Sequence, residues 1–160
     1  MNNQSDIILP RDGRQSERAL TVFRGLGRLM RSFDFACIPE VTLPNQRRAD
    51  LCGLGRNGEI WIVEIKSSIE DFRTDGKWQD YLDFCDCFYF ATLPDVPADI
   101  FPDSVGLVIS DGFGADVIRE SPVDKLAAAR RKALTLRIAR HAAHRLHNAV
   151  DPAAGVAAIV

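Results

Sequence analysis

The chain has 160 residues, 46% apolar and 26% charged, which is the length of one domain with ordinary globular composition and excludes wholesale disorder. No apolar run reaches the roughly 18 residues of a membrane span, and the polar opening Met1–Asp6 is unlike a signal peptide. The formal net charge of -2 conceals an asymmetry: residues 1–123 carry 13 basic and 20 acidic residues, whereas 124–149 carry seven basic residues and one acid. A basic segment of this kind permits nucleic-acid contact, although exposed helices are often rich in arginine.

Residues 16–33 place Ala19, Leu20, Val22, Phe23, Leu26, Leu29, Met30 and Phe33 at spacings of three and four, which predicts an amphipathic helix capped by Ser16 or Asp12. Gly25 and Gly27 interrupt it and leave room for a second backbone. Short β-type runs follow at Phe35–Val41, Arg48–Leu54 and Glu59–Ser67, the last two joined by the hairpin signal Gly55-Arg56-Asn57-Gly58. Residues 77–84 predict a short helix with Trp78, Tyr81 and Leu82 inward. Cys85–Thr92, Val105–Ser110 and Ala115–Arg119 predict strands. Ser121-Pro122 reads as a cap with a first-turn proline, opening a long Ala-rich helix to about Asn148. The order predicts a single α/β domain over 1–160, with a mixed sheet containing a meander, flanking helices, a long C-terminal helix, and peripheral tails at 1–11 and 151–160.

The chemistry concentrates in Arg48-Ala49-Asp50-Leu51 and Trp61-Ile62-Val63-Glu64-Ile65-Lys66. In a strand Glu64 and Lys66 share one face with Ile60 and Ile62, while Trp61, Val63 and Ile65 occupy the other. A strand apolar on both faces lies inside a sheet, where an acid and a lysine are costly unless paired or bound. Two hairpin registers are open. A three-residue loop Arg56–Gly58 pairs Gly55 with Glu59 and sets Asp50 opposite Glu64; a two-residue Asn57-Gly58 turn sets Asp50 opposite Ile65 and separates the acids. The first is preferred because it gathers Asp50, Glu64 and Lys66 into one cation site. Facing carboxylates repel, a divalent cation reverses that sign, and hard oxygen ligands suit Mg²⁺. Two acids and a lysine beside a metal are equipment for phosphodiester hydrolysis. The plainer alternative is an ordinary Glu64–Lys66 ion pair.

Asp50, thirteen intervening residues and then Glu64-Ile65-Lys66 resemble the PD-(D/E)xK nuclease superfamily, with Ala49 where the motif name has proline. The run Glu64-Ile65-Lys66-Ser67-Ser68 with Asp71-Phe72, Asp75, Lys77-Trp78, Tyr81 and Cys85-Asp86 resembles the MmcB-like group of bacterial DNA repair proteins. The resemblance covers most of residues 12–120. It implies a restriction-endonuclease-like core and a cut leaving 5′-phosphate and 3′-hydroxyl ends. Asp50, Glu64 and the carbonyl of Ile65 would hold Mg²⁺, or Mn²⁺ in its place, with Lys66 beside the attacking water. Many relatives add a glutamate from the first helix, a position for which Glu17 is the acid available here; capping or exposure is its other reading. Lys77 and Gln79 sit where relatives often place polar helical residues facing the site and its DNA.

Other features read more plainly. Arg130, Arg131 and Arg137 in the basic segment are candidates for a phosphate track, level with a solvated helix face. His141, His144 and His147 share a helical face without an accompanying acid or cysteine and read as exposed polar residues. Cys37, Cys52, Cys85 and Cys87 are too few and uneven for a disulfide scaffold and read as reduced thiols of a cytoplasmic protein. The expectation is a Mg²⁺-dependent DNA nuclease acting in repair, with DNA and other repair proteins as partners, no membrane association, and an open oligomeric state that allows a dimer. The alternative is a DNA-binding or repair-partner module on the same fold with cleavage weak or lost; a scaffold or small-molecule protein with an incidental ion pair ranks last.

Overall fold

The computed structural model describes residues 16–154. Helix α1 (Glu17–Ser32) starts where Ser16 Oγ accepts the Ala19 N–H at 3.1 Å. The alternative cap Asp12, the expected tail at 1–11 and residues 155–160 of the expected tail at 151–160 lie outside the described residues; within that second tail Pro152–Ala154 form a 3₁₀ turn. Six strands follow: β1 (Ala36–Thr42), β2 (Arg48–Leu54), β3 (Ile60–Ile65), β4 (Cys87–Thr92), β5 (Gly106–Ser110) and β6 (Ala115–Arg119). They form one mixed sheet in chain order, with a β1–β2–β3 antiparallel meander, parallel β3–β4 and β4–β5 pairs, and an antiparallel β6. Helix α2 (Ile69–Thr74), a 3₁₀ segment Trp78–Phe84 and helix α3 (Ala128–Val150) complete the parts that position the site. No described helix is long and apolar enough to cross a membrane.

The sheet separates two packed layers. On one face lie Leu51, Gly53, Trp61, Val63 and Tyr89, covered by α1; a Cβ at Gly53 would meet Met30 of that helix. On the other lie Asp50, Cys52, Ile60, Ile62, Glu64, Phe88 and Phe90. There Trp78 stacks on Phe88 at 5.7 Å and Phe72 meets Phe90 edge-on at 5.4 Å, while Leu134 and Ile138 of α3 are buried.

Helix α1 approaches the sheet closely at Gly25, where a Cβ would meet Ser110 Oγ and the carbonyl of Gly114; the space around Gly27 is open. Ser110 also donates to the Val22 carbonyl at 3.0 Å, which pins β5 to the helix. Gly25→Val is therefore expected to destabilise the protein by about 1–3 kcal/mol or more, because a backbone oxygen cannot rotate aside. Gly27→Ala should be neutral or stabilising. Denaturant melts of the two variants check the contrast.

Two expectations are corrected. The segment after Ser121-Pro122 is not helical, and α3 begins only at Ala128. Ser121 Oγ accepts the Phe88 N–H at 3.0 Å, and Asp86 captures the Asp124 N–H through its carbonyl and the Leu126 N–H through its carboxylate, both at 2.9 Å. These tertiary bonds hold 121–126 out of the helix that local capping favours. Second, Leu82 does not face inward but is exposed. Residues 69–74, to which the sequence assigns no element, form α2, built on a cap in which Ser68 Oγ accepts the Asp71 N–H and Asp71 Oδ2 accepts the Ser67 N–H.

Candidate functional site

The hairpin takes the three-residue loop. Leu54 pairs with Ile60 and Leu51 with Val63, the Gly55 N–H donates to the Glu59 carbonyl at 2.8 Å, and Gly58 has φ 88°. A contact within the loop favours it over the Asn-Gly turn: Glu59 folds back so that its carboxylate accepts the Asn57 N–H at 3.1 Å. In this register Asp50 stands opposite Glu64.

At that position side chains replace the ladder. The Asp50 N–H donates to Glu64 Oε1 at 3.0 Å, and the Ile65 N–H donates to Asp50 Oδ2 at 2.8 Å. On the other side, β1–β2 pairing skips from Pro39↔Leu51 to Val41↔Ala49. Glu40 between them adopts φ 52°, and its carbonyl accepts from Arg145 Nη2 of α3 at 2.8 Å. Each acid thus has one oxygen fixed by a backbone N–H. Among the described residues, the other oxygen of each makes no further protein hydrogen bond.

Burial and mutual proximity govern the charges. Glu64 is 3% exposed, and burial followed by the Asp50 charge raises its pKa well above the ordinary carboxylate value. Burial pushes Asp50 up to about 6, although the Ile65 N–H and Lys66 oppose the shift. Lys66, 6% exposed, pairs through Nζ with Asp75 Oδ2 at 2.7 Å. Burial disfavours its charge, but Asp75, Glu64 and Asp50 outweigh that and raise its pKa. Thr92 Oγ1 fixes the Lys66 carbonyl at 2.6 Å. The site is an acid pair, Glu64 buried and Asp50 half-buried, with a cation one step along the same face, bordered by Asp71 and Asp75 from α2 and the turn after it.

Asp71 and Asp75 were not expected as neighbours of the site. The Ser68-x-x-Asp71 capping pattern is the sequence signal that places α2, and through it both acids. Lys77 and Gln79 are both exposed, and Lys77 borders a polar depression of about 560 Å³ with Asn45, Arg47 and Asp80. Glu17 is exposed in the first turn of α1, a helix that packs on the opposite face of the sheet, and among the described residues no contact joins it to the acid pair. Tyr81 is core: its ring stacks on Phe88 at 6.0 Å and its hydroxyl donates to the Arg48 carbonyl at 3.0 Å.

The three arginines of the expected phosphate track have internal partners. Arg131 forks onto Asp86 at 2.6 and 2.7 Å and reaches the Gly58 carbonyl. Arg137 donates to the Thr42 carbonyl at 3.0 Å, and Arg130 to the Asp83 carbonyl at 2.9 Å while lying over the Phe84 ring. Cys52, Cys85 and Cys87 are buried, Cys37 is exposed and all four are free thiols; His144 and His147 are exposed. Among the described residues no three His, Cys, Asp or Glu side chains converge into a metal cage. Asp50 and Glu64 are therefore two acidic oxygen donors rather than a complete set. Mg²⁺ sites built from one or two carboxylates commonly take water and substrate phosphate oxygens for the remainder.

A family model described as "DNA repair protein MmcB-like" matches residues 8–153. Among solved structures, a protein of unknown function from Silicibacter pomeroyi, SPO1766, is 39% identical over 91% of this chain and 99% of its own, with a TM-score of 0.84. No curated protein matches.

Proposed function

Because this chain belongs to the MmcB-like family of DNA repair proteins, we propose that it is a metal-dependent DNA nuclease with a restriction-endonuclease-like core. The observation that carries the reading is the facing pair Asp50 and Glu64, held together by Asp50 N–H···Oε1 at 3.0 Å and Ile65 N–H···Oδ2 at 2.8 Å with Lys66 beside them. A buried and a half-buried acid facing one another, both with raised pKa and one free oxygen each, are a poor structural motif and a good cation site. Asp50, Glu64 and the Ile65 carbonyl would hold Mg²⁺ or Mn²⁺, which when bound polarises a phosphoryl oxygen and acidifies water.

The remaining steps belong to the protein. The two backbone N–H groups fix the carboxylate orientations before any ligand arrives, so little rearrangement is required. Lys66 stays protonated through Asp75 and presents an N–H toward the attacking water or the charge developing on phosphate. Products with 5′-phosphate and 3′-hydroxyl ends follow from attack on phosphorus with departure of the 3′ oxygen.

The test uses circular, single-stranded, flapped and four-way DNA with Mg²⁺, Mn²⁺ or chelator. Cleavage of at least one form with cation and none with chelator is expected. Lys66→Ala should reduce the rate by about 10²–10³-fold while leaving Mn²⁺ affinity within a few-fold. Binding of these DNAs without cutting under any cation would replace the nuclease with a DNA-binding repair module.

A further inference from the structure

A basic surface lies on the face of the sheet opposite the acid pair. On the solvent side of α1, Arg24, Arg28 and Arg31 recur at spacings of four and three, and with Arg56 of the hairpin loop they line a groove of about 980 Å³. The one acid lining it, Asp34, is paired with Arg56 at 3.1 Å. Among the described residues Arg24 and Arg31 have no ion-pair partner. This is a local excess of positive charge within residues 1–123, the segment that is net acidic. The basic α3 segment, by contrast, commits Arg130, Arg131, Arg137 and Arg145 to carbonyls and to Asp86.

A second observation indicates the ligand. Phe113 is 83% exposed, although its turn is rigid: Asp111 Oδ1 accepts the Phe113 and Gly114 N–H groups at 2.9 and 3.0 Å. Arg28 Nη1 donates to the Phe113 carbonyl at 2.6 Å, so the ring is presented to solvent next to the arginine row. An exposed aromatic on a hydrogen-bonded turn beside guanidinium groups is a combination that binds single strands, with phosphates on the cations and a base on the ring.

We infer that α1 and the Phe113 turn form a single-stranded DNA-binding face, distinct from the carboxylate site and rich enough in arginine to engage the phosphate backbone without a metal. Arg24 to Arg31 spans about 10 Å at 1.5 Å per residue, enough for about three phosphates of one strand. At the other end of α1, Arg18 Nε donates to the Ser67 carbonyl at 3.0 Å, one residue beyond Lys66. A strand laid along the row is therefore directed toward the end of β3 that carries the acids. The inference rests on DNA being the ligand and not on its being cut.

The experiment is fluorescence anisotropy of a labelled oligo-dT and of a duplex of equal length, in chelator, over a salt series, with the full chain. Arg24→Gln/Arg31→Gln should weaken oligo-dT binding about tenfold or more and flatten the log–log salt slope by about 1.4, near 0.7 for each phosphate that is no longer neutralised. Phe113→Ala should weaken oligo-dT binding about 5-fold or more, leave the salt slope unchanged and affect the duplex less. All binding is measured in chelator, where the carboxylate site holds no cation, which separates this inference from the nuclease reading: cutting can fail while this binding stands. Arg24, Arg31 and Phe113 lie at the surface, and melting curves confirm that the variants remain folded. Unchanged oligo-dT affinity in both the arginine and Phe113 variants overturns the proposal. So does a Phe113→Ala protein with full affinity whose arginine variant loses polyglutamate as strongly as DNA, since that marks a surface for acidic protein.

Discussion

Glu64→Gln and Asp50→Asn are each expected to abolish Mn²⁺ binding and to reduce cleavage by about 10³-fold or more, while the metal-free protein melts at the same or a higher temperature. The amides are the informative replacements. An amide oxygen at 64 can still accept the Asp50 N–H, and one at 50 can still accept the Ile65 N–H, so the local geometry survives while one negative charge is lost. The stability gain follows from the raised pKa values. A carboxylate whose folded pKa lies above its unfolded one binds protons more tightly when folded, so its contribution declines as pH rises through the folded value. For Asp50 the window opens near the ordinary carboxylate range and closes around 6; for Glu64, raised by burial and by Asp50, it extends upward from the same start. Wild-type protein in chelator should thus gain more from acidification toward pH 5 than either amide variant. Calorimetric Mn²⁺ titration with melts at pH 5 and 8 provides the check, and unchanged metal affinity in both variants would sink the site assignment.

Asp86→Ala is expected to have the largest effect on stability, about 3–5 kcal/mol and a substantial share of what holds a domain of this size together. Asp86 is 5% exposed, and its carboxylate accepts from the Ile60 N–H at 2.8 Å, the Leu126 N–H at 2.9 Å and both terminal nitrogens of Arg131. Truncation strands a partly buried guanidinium and two backbone donors at once. The pH dependence has the opposite sign to that of the acid pair. Burial works against the Asp86 charge, but Arg131 and the N–H groups more than compensate and hold its pKa below the usual carboxylate range. Its contribution is full above that range and is lost as pH falls through the folded value. Chemical denaturation at pH 7 checks the magnitude. A loss under about 1 kcal/mol would show that Asp86 does not anchor α3. Arg131→Gln should approach the same loss, so a fall in DNA affinity in that variant is interpretable only beside its melt.

These two acids illustrate how far the sequence can be read. Both are buried, and both lie near strand ends rich in apolar residues. Glu64 was legible because strand alternation puts it on one face with Lys66, and hairpin arithmetic then brings Asp50 opposite. The strands themselves were legible to within two residues because their side chains alternate or are uniformly apolar. Asp86 was not legible as an anchor, because its partners Leu126 and Arg131 lie 40 and 45 positions away and carry no local periodicity. The same long-range bonds delayed α3 past the Ser121-Pro122 start that local capping favours. Asp71 and Asp75 were missed for a different reason. A helix of six residues, Ile69–Thr74, is too short for a hydrophobic period, and only its Ser68 cap announces it.

The contacts of α3 with β1 also bear on the order in which the chain can be completed. β1 is an outer strand of the sheet, and Arg137 and Arg145 place guanidinium groups on the carbonyls of Thr42, Pro39 and Glu40. Those arginines are translated about 100 residues after the strand they cover. The meander can pair early, since its contacts are local in sequence, but one border of the nascent sheet remains open to strand addition until nearly the last turn of α3 has left the ribosome. Helix α3 thus closes this border of the sheet against self-association, and it does so through the same Arg145 that takes the Glu40 carbonyl where the ladder skips Asp50.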